Sequence, residues 1–226
     1  MALPVRIGRL RLPVLCYVVS KSTVKDGDLT KAVAEAVAGG VTMVQLREPG
    51  MAAGELLDAA RSLKPILRGK ALLVINDRVD VAVAVEADGV QLPETGLPSR
   101  AGRAQVGKYA VVGRSVHDAE AALQATREGS DFVLAGTIYK SNSKPDAKPA
   151  GVALIKEINK DVSLPVVAIG GITAERVGDV IKAGAAGVAV ISAISGADDV
   201  KAAAEALAQA LKEAWAARPD EVPASA

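Results

Sequence analysis

The apolar residues of the chain are concentrated in eight short runs, and a segment with helical spacing of apolar residues follows most of them. The runs are continuously apolar rather than alternating, which is expected for strands that are buried on both faces of a sheet. We therefore predict strands at residues 14–19, 41–47, 72–75, 89–92, 111–113, 132–135, 166–169 and 188–191.

The segments that follow these runs predict helices, with one break near Pro65. The predicted helices cover residues 29–38, 51–67, 78–85, 97–103, 117–127, 152–158, the region around 177–181, and 202–216.

The regular alternation of strand and helix predicts an α/β protein with a closed (β/α)8 TIM barrel. An open doubly wound sheet is the alternative, but no G-x-G-x-x-G motif follows the first strand. We expect one domain over residues 1–217, in which about the first eleven residues cover the bottom of the barrel. We expect residues 218–226 to form a disordered tail.

Half of the 226 residues are apolar, which is enough for one domain to bury a core without disulfides or metal ions. The 27 basic and 26 acidic side chains give a net charge of +1, and only 2% of the residues are aromatic. Such a surface offers neither the charge nor the stacking platforms that bind nucleic acid. We therefore expect no nucleic-acid partner, and we expect the single cysteine, Cys16, to fill core space.

No apolar run reaches the length of a membrane-spanning helix, and the basic N-terminal segment lacks the cleavage site of a signal peptide. We therefore expect a cytoplasmic protein without a membrane partner. The sequence leaves open whether the chain forms a homo-oligomer.

Residues 165–194 contain the clearest local motif. One apolar run ends at Gly170 and Gly171, a helical segment follows, and a second apolar run ends at Ser192. Glycines at a strand end let backbone N–H groups approach an anion, and the last two strands of a TIM barrel frequently hold a phosphate. The alternative is that the glycine pair only forms a tight turn.

Polar side chains follow most of the other predicted strands, although the chain as a whole is apolar. In a TIM barrel these strand ends form the active site. Arg47 offers a planar fork of donors for a carboxylate or a phosphate, and an ion pair with Glu48 or Asp77 is a nearly equal alternative. The polar residues at these strand ends are Gln45, Arg47, Asn76, Asp77, Gln91, Glu94, Ser115, His117 and loop residues 136–146.

His117 is the only histidine, and it lies at the predicted start of a helix. A helix N-terminus disfavours the imidazolium form, so we expect a neutral imidazole that acts as a base. The loop after the sixth strand carries Ser141, Ser143 and Lys144, which together suit the oxygens of a phosphate. The alternatives are a histidine that only caps its helix and a loop that is only a surface connection.

Several of these segments resemble one family, the thiamine phosphate synthase family, in their order and spacing over residues 13–212. The family has a TIM-barrel fold and two branches, the synthases and the thiazole tautomerases, and both act on a thiazole ethyl phosphate. The segments that carry the resemblance are Gln45-Leu-Arg-Glu48, Ile75-Asn-Asp-Arg78, Val112-Gly-Arg-Ser-Val-His117, Ser141-Asn-Ser-Lys144, Val167-Ala-Ile-Gly-Gly-Ile172 and Val190-Ile-Ser-Ala193.

The resemblance implies roles for residues of the site. Three residues at the last two strand ends would hold the thiazole phosphate: Gly171, Ile191 and Ser192. Three residues of a mobile loop would touch phosphate or pyrophosphate: Ser141, Ser143 and Lys144. Four residues would contact the pyrimidine pyrophosphate of a synthase: Gln45, Arg47, Asn76 and Ser115. In that branch Asp77 would hold Mg²⁺.

Two residues depart from the synthase pattern. Synthases usually carry Arg-Glu-Lys after the second strand, and here Pro49 stands in the place of the lysine. They also carry His-x-Gly-Gln-Glu-Asp after the fourth strand, and here Gly96 stands in the place of the last, Mg²⁺-binding aspartate. Because pyrophosphate departure places negative charge on the leaving group, both losses weaken the synthase hypothesis.

The tautomerase branch fits these two positions better, and Val90-Gln-Leu-Pro93 matches a segment that is frequent there. We therefore predict a thiazole tautomerase of thiamine biosynthesis, an isomerase that converts the ylidene tautomer of a carboxythiazole ethyl phosphate to the aromatic thiazole. In this hypothesis His117 is the catalytic acid/base group, Arg47 lies near the substrate carboxylate, and no metal or other cofactor is needed. The partner is the small-molecule thiazole phosphate.

Two alternatives stay open. The first is a Mg²⁺-dependent thiamine phosphate synthase, a transferase, in which Glu94 replaces the missing metal ligand beside Asp77. The second is a regulator that binds the thiazole phosphate without turnover.

Overall fold

The computed structural model describes residues 5–7, 10–141 and 146–218, and within them the chain forms ten strands and nine helices. The strands are β1 (Val5–Ile7), β2 (Leu10–Leu12), β3 (Val14–Val19), β4 (Met43–Leu46), β5 (Leu72–Asn76), β6 (Gly89–Leu92), β7 (Val111–Val116), β8 (Phe132–Ala135), β9 (Val166–Ile169) and β10 (Gly187–Val190). The helices are α1 (Leu29–Ala38), α2 (Ala53–Leu67), α3 (Val79–Ala84), α4 (Ser99–Val106), α5 (Ala119–Arg127), α6 (Ala153–Asp161), α7 (Ala174–Lys182), α8 (Ser192–Ser195) and α9 (Val200–Ala216).

Strands β3 to β10 form a closed barrel in which all neighbouring strands are parallel. The strands follow one another around the barrel in chain order, and β10 closes the ring by pairing with β3. In this closing pair Gly187 lies opposite Val14, and Val190 lies opposite Tyr17. Helices connect successive strands, so the predicted (β/α)8 TIM barrel is confirmed.

Alternate residues of each barrel strand point to the inside. Cys16 and Val18 of β3 belong to a buried cluster that also contains Leu10 and Leu12 of β2. Leu10 and Val14 also line a cavity of about 970 Å³ at the N-terminal ends of the strands, so β2 lies at this bottom end of the barrel. Residues 1–4, 8 and 9 lie outside the described residues, so a cover formed by about the first eleven residues stays a prediction. Burial raises the pKa of the Cys16 thiol to about 12, and this cysteine is therefore an inert core residue.

The opposite face of each strand packs against helices. Leu15, Tyr17 and Val19 of β3 belong to the larger buried cluster, together with helix residues such as Leu56 and Val177. Apolar side chains therefore cover both faces of the strands, which explains why the runs in the sequence do not alternate.

Three aspartates begin helices of the outer layer. Asp28, Asp118 and Asp199 each accept a hydrogen bond from the backbone N–H three residues later. Such N-caps satisfy donors that the first helical turn would otherwise leave unpaired.

Strand β7 is longer than predicted. Residues 114–116 continue the strand because they pair with residues of β8. Helix α5 consequently begins at Ala119, and His117 lies between strand and helix rather than inside the helix.

Helix α2 also differs from the prediction. It passes through Pro65 and ends at Leu67, so the predicted break is wrong. A proline this close to the C-terminal end removes one backbone hydrogen bond, and the helix buries Leu56, Ala60 and Leu63 along the rest of its length.

No helix in the described ranges is long and apolar enough to cross a membrane. Of the predicted tail, only Arg218 is among the described residues, and its guanidinium lies 3.6 Å from the centroid of the Trp215 ring. Residues 219–226 lie outside the described residues, so the disorder expected there stays a prediction.

We predict that Gly113→Ala destabilises the protein by about 1–3 kcal/mol, because the added methyl group overlaps the Gln91 side chain and the Phe132 ring inside the barrel. Urea unfolding measures the change. The matched control is Gly178→Ala on α7, where no atom lies within 4 Å of the added methyl group. Since alanine favours a helix interior, this control should gain about 0.5–1 kcal/mol. Equal unfolding midpoints for the two variants would contradict the close packing around Gly113.

Candidate active site

Four polar side chains from adjacent strands meet at the C-terminal end of the barrel. Gln45 Nε2 donates to Asn76 Oδ1 at 3.0 Å, and Gln91 Nε2 donates to Ser115 Oγ at 3.1 Å. Gln45 and Gln91 are 4% and 0% exposed. Because a glutamine N–H is the donor in each pair, the Asn76 amide and the Ser115 hydroxyl keep their own hydrogens for a ligand. These four side chains, here called the donor cluster, therefore present hydrogen-bond donors to a substrate that carries acceptors.

The carboxamide oxygen of Gln91 is buried and has no hydrogen-bond partner among the described residues. It lies against Gly113, where any side chain would overlap it. A buried acceptor without a hydrogen-bond partner lowers the stability of the fold. This loss of stability accompanies the hydrogen bond by which Gln91 Nε2 orients the Ser115 hydroxyl. The sequence did not assign Gln91 a binding role, although a glutamine in the apolar run of β6 was a visible signal.

Arg47 follows β4 with its side chain exposed, and it forms no ion pair with any other residue that the structure describes. The carboxylate of Glu48 instead accepts a hydrogen bond from the backbone N–H of Lys21. Of the two sequence hypotheses for Arg47, the structural ion pair is therefore absent. A guanidinium with unused donors suits a phosphate or a carboxylate.

Asp77 has a φ of 65°, in the left-handed region that side-chain-bearing residues seldom adopt. Its N–H donates to the carbonyl oxygen of Gln91 at 2.8 Å, and its carboxylate is exposed. A Cβ atom built on Gly96 would lie 3.1 Å from Asp77 Oδ1. The glycine in the place of the expected second aspartate therefore stands directly beside the first one.

Glu94, the sequence candidate for a replacement ligand, is paired with His117. Glu94 Oε2 lies 2.6 Å from His117 Nδ1, and Arg114 Nη2 donates to the backbone oxygen of Glu94 at 2.7 Å. This contact engages the Glu94 carboxylate, so the structure gives no support to Glu94 as a metal ligand. Within the described ranges, no group of three or more His, Cys, Asp or Glu side chains could hold a metal ion.

The Asp77 carboxylate nevertheless suits a Mg²⁺ ion that arrives with a phosphorylated substrate. Proteins commonly hold Mg²⁺ through one or two carboxylates, and water and substrate phosphates supply the remaining ligands. Asp77 is exposed and, in the part of the chain that the structure describes, makes no side-chain hydrogen bond or ion pair. The residues present therefore fit a site with a single protein carboxylate.

The glycine pair after β9 forms the other side of the site. Gly170 and Gly171 have φ values of 107° and 60°. The segment after β8 packs directly on them, because Tyr139 N donates to Gly170 O at 2.9 Å and a Cβ atom on Gly171 would lie 2.9 Å from Tyr139 Cβ. Glycine is therefore required here by the left-handed turn and by the close approach of this segment. Binding of an anion at Gly171 stays a prediction.

Ser192 begins the short helix α8, and Ile191 is its N-cap residue. Since β9 and β10 are neighbours in the barrel, Gly171 and Ser192 lie at adjacent strand ends. Helix α8 ends at Ser195, whose hydroxyl lies 2.6 Å from the buried hydroxyl of Tyr17. Burial raises the pKa of Tyr17, against the smaller opposite effect of the Ser195 hydrogen bond.

The loop after β8 is described only in part. Ser141 is half-buried, whereas Ser143 and Lys144 lie outside the described residues, so their phosphate contact stays a prediction. The sequence missed Arg176 of α7, whose Nη1 donates to Gly171 O at 2.6 Å. Nothing in the helical pattern of α7 showed that this side chain would return to the glycine turn.

The model of one protein family, described as thiamine monophosphate synthase, matches residues 16–194. The chain belongs to this thiamine monophosphate synthase family. The thiamine-phosphate synthase of Clostridium acetobutylicum is 38% identical over 200 residues, which cover 88% of this chain and 95% of the relative. The thiamine-phosphate synthase of Methanoculleus marisnigri is 46% identical over 194 residues, which cover 84% and 92%.

A solved structure of the same family agrees with the fold. The thiamine phosphate pyrophosphorylase from Pyrococcus furiosus matches with a TM-score of 0.82 at 34% identity, covering 89% of this chain and 96% of that chain. The family resemblance inferred from the motifs is therefore confirmed.

The relatives contradict the tautomerase prediction. Synthases of this family that are 37% to 46% identical to the chain over most of its length carry the synthase name, so the predicted isomerase activity is wrong. Pro49 and Gly96 do not exclude a synthase, because the loss of one cation and one carboxylate leaves Arg47 and Asp77 at the strand ends. The acid/base role of His117 was predicted only for the tautomerase reaction, so it is withdrawn together with that prediction.

We predict that Asp77→Asn leaves the free energy of unfolding within about 0.5 kcal/mol of the wild type, because asparagine adopts the left-handed region readily. Asp77→Ala should cost about 1–2 kcal/mol, since alanine does not. Urea unfolding of both variants measures the difference. As a control, Asp80→Ala on helix α3 changes a residue without a positive φ. A loss at Asp77→Ala no larger than at Asp80→Ala would contradict the backbone strain at this site.

Proposed function

We propose that the chain is a Mg²⁺-dependent thiamine-phosphate synthase, which joins a pyrimidine pyrophosphate to a thiazole ethyl phosphate and releases pyrophosphate. The observation that carries this proposal is the identity of 46% over 194 residues between the chain and the thiamine-phosphate synthase of Methanoculleus marisnigri. The exposed side chains of Arg47 and Asp77 beside the donor cluster support it, because a pyrophosphate substrate needs both a cation and a metal-binding carboxylate.

The donor cluster suits the pyrimidine half of the reaction. Ring nitrogens of a pyrimidine accept hydrogen bonds, and the Asn76 amide and Ser115 hydroxyl have hydrogens to donate. The hydrogen bonds from Gln45 and Gln91 hold these two side chains, so the Asn76 amide and the Ser115 hydroxyl are oriented before substrate binds. Preorganised donors of this kind position a substrate without further ordering of the protein.

The pyrophosphate would lie toward Arg47 and Asp77. In the reaction the bond between the pyrimidine methylene carbon and the pyrophosphate oxygen breaks, and a bond from the thiazole nitrogen to that carbon forms. Arg47 stabilises the charge that develops on the departing pyrophosphate through its planar donors. Asp77 would hold the Mg²⁺ ion, which would supply further charge neutralisation when bound. Ser141, Ser143 and Lys144 are proposed to contact the same group from the loop.

The thiazole phosphate would lie at the opposite side, at Gly171, Ile191 and Ser192. The backbone turns at two neighbouring strand ends. One turn is at Gly171, which has a positive φ, and the other is at Ser192, where α8 begins. Backbone N–H groups at such turns bind phosphate oxygens. The two substrates are then anchored at opposite sides of the barrel opening with their reacting atoms between the anchors.

The direct test is incubation of the full chain with the pyrimidine pyrophosphate, the thiazole phosphate and Mg²⁺. Thiamine phosphate and pyrophosphate should form in equal amounts, measured by chromatography, and chelation of Mg²⁺ should stop the reaction. Binding of thiazole phosphate without formation of thiamine phosphate would instead favour the non-catalytic regulator.

We predict that Asp77→Asn lowers kcat/KM by about 100-fold or more at a fixed Mg²⁺ concentration, because removing the carboxylate removes the protein ligand. Steady-state kinetics over a Mg²⁺ titration measures it. Asp80→Asn is the matched control, because the Asp80 carboxylate at the start of α3 pairs with Arg78 at 2.5 Å. This substitution should leave the Mg²⁺ dependence unchanged.

The converse change is Gly96→Asp, which places a second carboxylate beside Asp77. It should lower the Mg²⁺ concentration needed for half-maximal activity by about tenfold. An unchanged Mg²⁺ dependence in both Asp77→Asn and Gly96→Asp would show that the metal does not bind at Asp77.

A further inference from the structure

Arg176 contacts two parts of the site at once. Its Nη1 atom donates to the carbonyl oxygen of Gly171 at 2.6 Å, and its guanidinium carbon lies 4.7 Å from the centroid of the Tyr139 ring. Gly171 belongs to the glycine turn, and Tyr139 belongs to the segment that packs on that turn. A side chain from helix α7 therefore fixes the two together.

These contacts hold the guanidinium in place but do not neutralise its positive charge. A guanidinium has five N–H donors, and in Arg176 one of them donates a hydrogen bond while the face of the group makes a cation–π contact. Among the residues that the structure describes, no carboxylate forms an ion pair with Arg176. The remaining donors are available to an anion at the glycine turn.

The position of Arg176 on its helix is also unusual for a structural cation. It lies in the first turn of α7, where the helix dipole disfavours positive charge. The acidic neighbours on the same helix do not remove that charge. The pKa of the Glu175 carboxylate is lowered chiefly by a hydrogen bond from the Thr173 hydroxyl and less by the charge of Arg176. Burial, and after it the charge of Asp179, raises the pKa of Tyr139.

We propose that Arg176 is a specificity-determining residue for the phosphate of the thiazole substrate. Its positioned guanidinium provides the positive charge by which the site prefers the phosphorylated thiazole to the corresponding alcohol. This inference rests on the proposed function, because that function places the thiazole phosphate at Gly171 and Ser192. Without Arg176, Glu175 and Asp179 would leave the start of α7 negatively charged, and a phosphate dianion would be repelled.

The test is calorimetric binding of thiazole ethyl phosphate and of thiazole alcohol to the full chain, followed by steady-state kinetics. Arg176→Ala should weaken binding of the phosphate about 10- to 100-fold and leave binding of the alcohol unchanged. In kinetics, KM for thiazole phosphate should rise by a similar factor, while kcat and KM for the pyrimidine pyrophosphate should change less than about twofold.

The matched control is Lys182→Ala, which removes an exposed cation from the last turn of the same helix and should not alter the preference for phosphate. Arg176→Lys keeps the charge but loses the planar fork, so it should restore part of the preference. Tyr139→Leu removes the ring under the guanidinium and should weaken phosphate binding to a smaller extent. Thermal unfolding of each variant shows whether the barrel is intact.

The proposal is wrong if Arg176→Ala binds the phosphate as tightly as Lys182→Ala does, or if it weakens binding of phosphate and alcohol equally. A wild-type chain that makes no thiamine phosphate would contradict the proposed function instead. The calorimetric comparison does not depend on turnover, so it tests the role of Arg176 in either case.

Discussion

The eight parallel strands of the barrel pair their backbone groups around a closed ring, and β10 completes that ring against β3. The closure removes free sheet edges and forces alternate side chains of each strand into the interior. Most interior positions are apolar, but Gln45, Gln91 and Ser115 also fall on the inner face. They are tolerated because they form hydrogen-bonded pairs at the open end, and this requirement makes the end of the barrel polar and rigid.

The charged residues of the site lie outside this layer of polar side chains and are exposed, whereas Gln45 and Gln91 are buried. Arg47 and Asp77 are exposed and make no ion pair in the described part of the chain, whereas Arg176 is held by a backbone carbonyl and an aromatic ring. The buried amides therefore fix the geometry, and the exposed charges are free to respond to phosphorylated ligands. A site built in this way can bind two anionic substrates without placing an unpaired charge inside the barrel.

Much of the fold could be predicted because buried parallel strands appear as continuous apolar runs, and β3, β6, β8 and β9 begin and end where the runs do. The strand-end residues could be located for the same reason. The sequence could not predict contacts across the site, such as those of Arg176 with Gly171 and of Glu94 with His117, because no local pattern indicates them. The reaction was predicted wrongly because Pro49 and Gly96 remove two charges of the synthase pattern but leave Arg47 and Asp77 exposed at the strand ends.

The hydrogen bond between Tyr17 and Ser195 spans 178 residues of sequence and crosses the junction where the barrel closes. Closing so long a loop is entropically costly, so the contacts between β3 and β10 must offset this cost in the folded barrel. The proposed phosphate anchor at Ser192 lies on the same short helix as Ser195. Because a ligand that binds only the folded barrel stabilises it, a substrate bound at Ser192 would also oppose opening of the junction between β3 and β10.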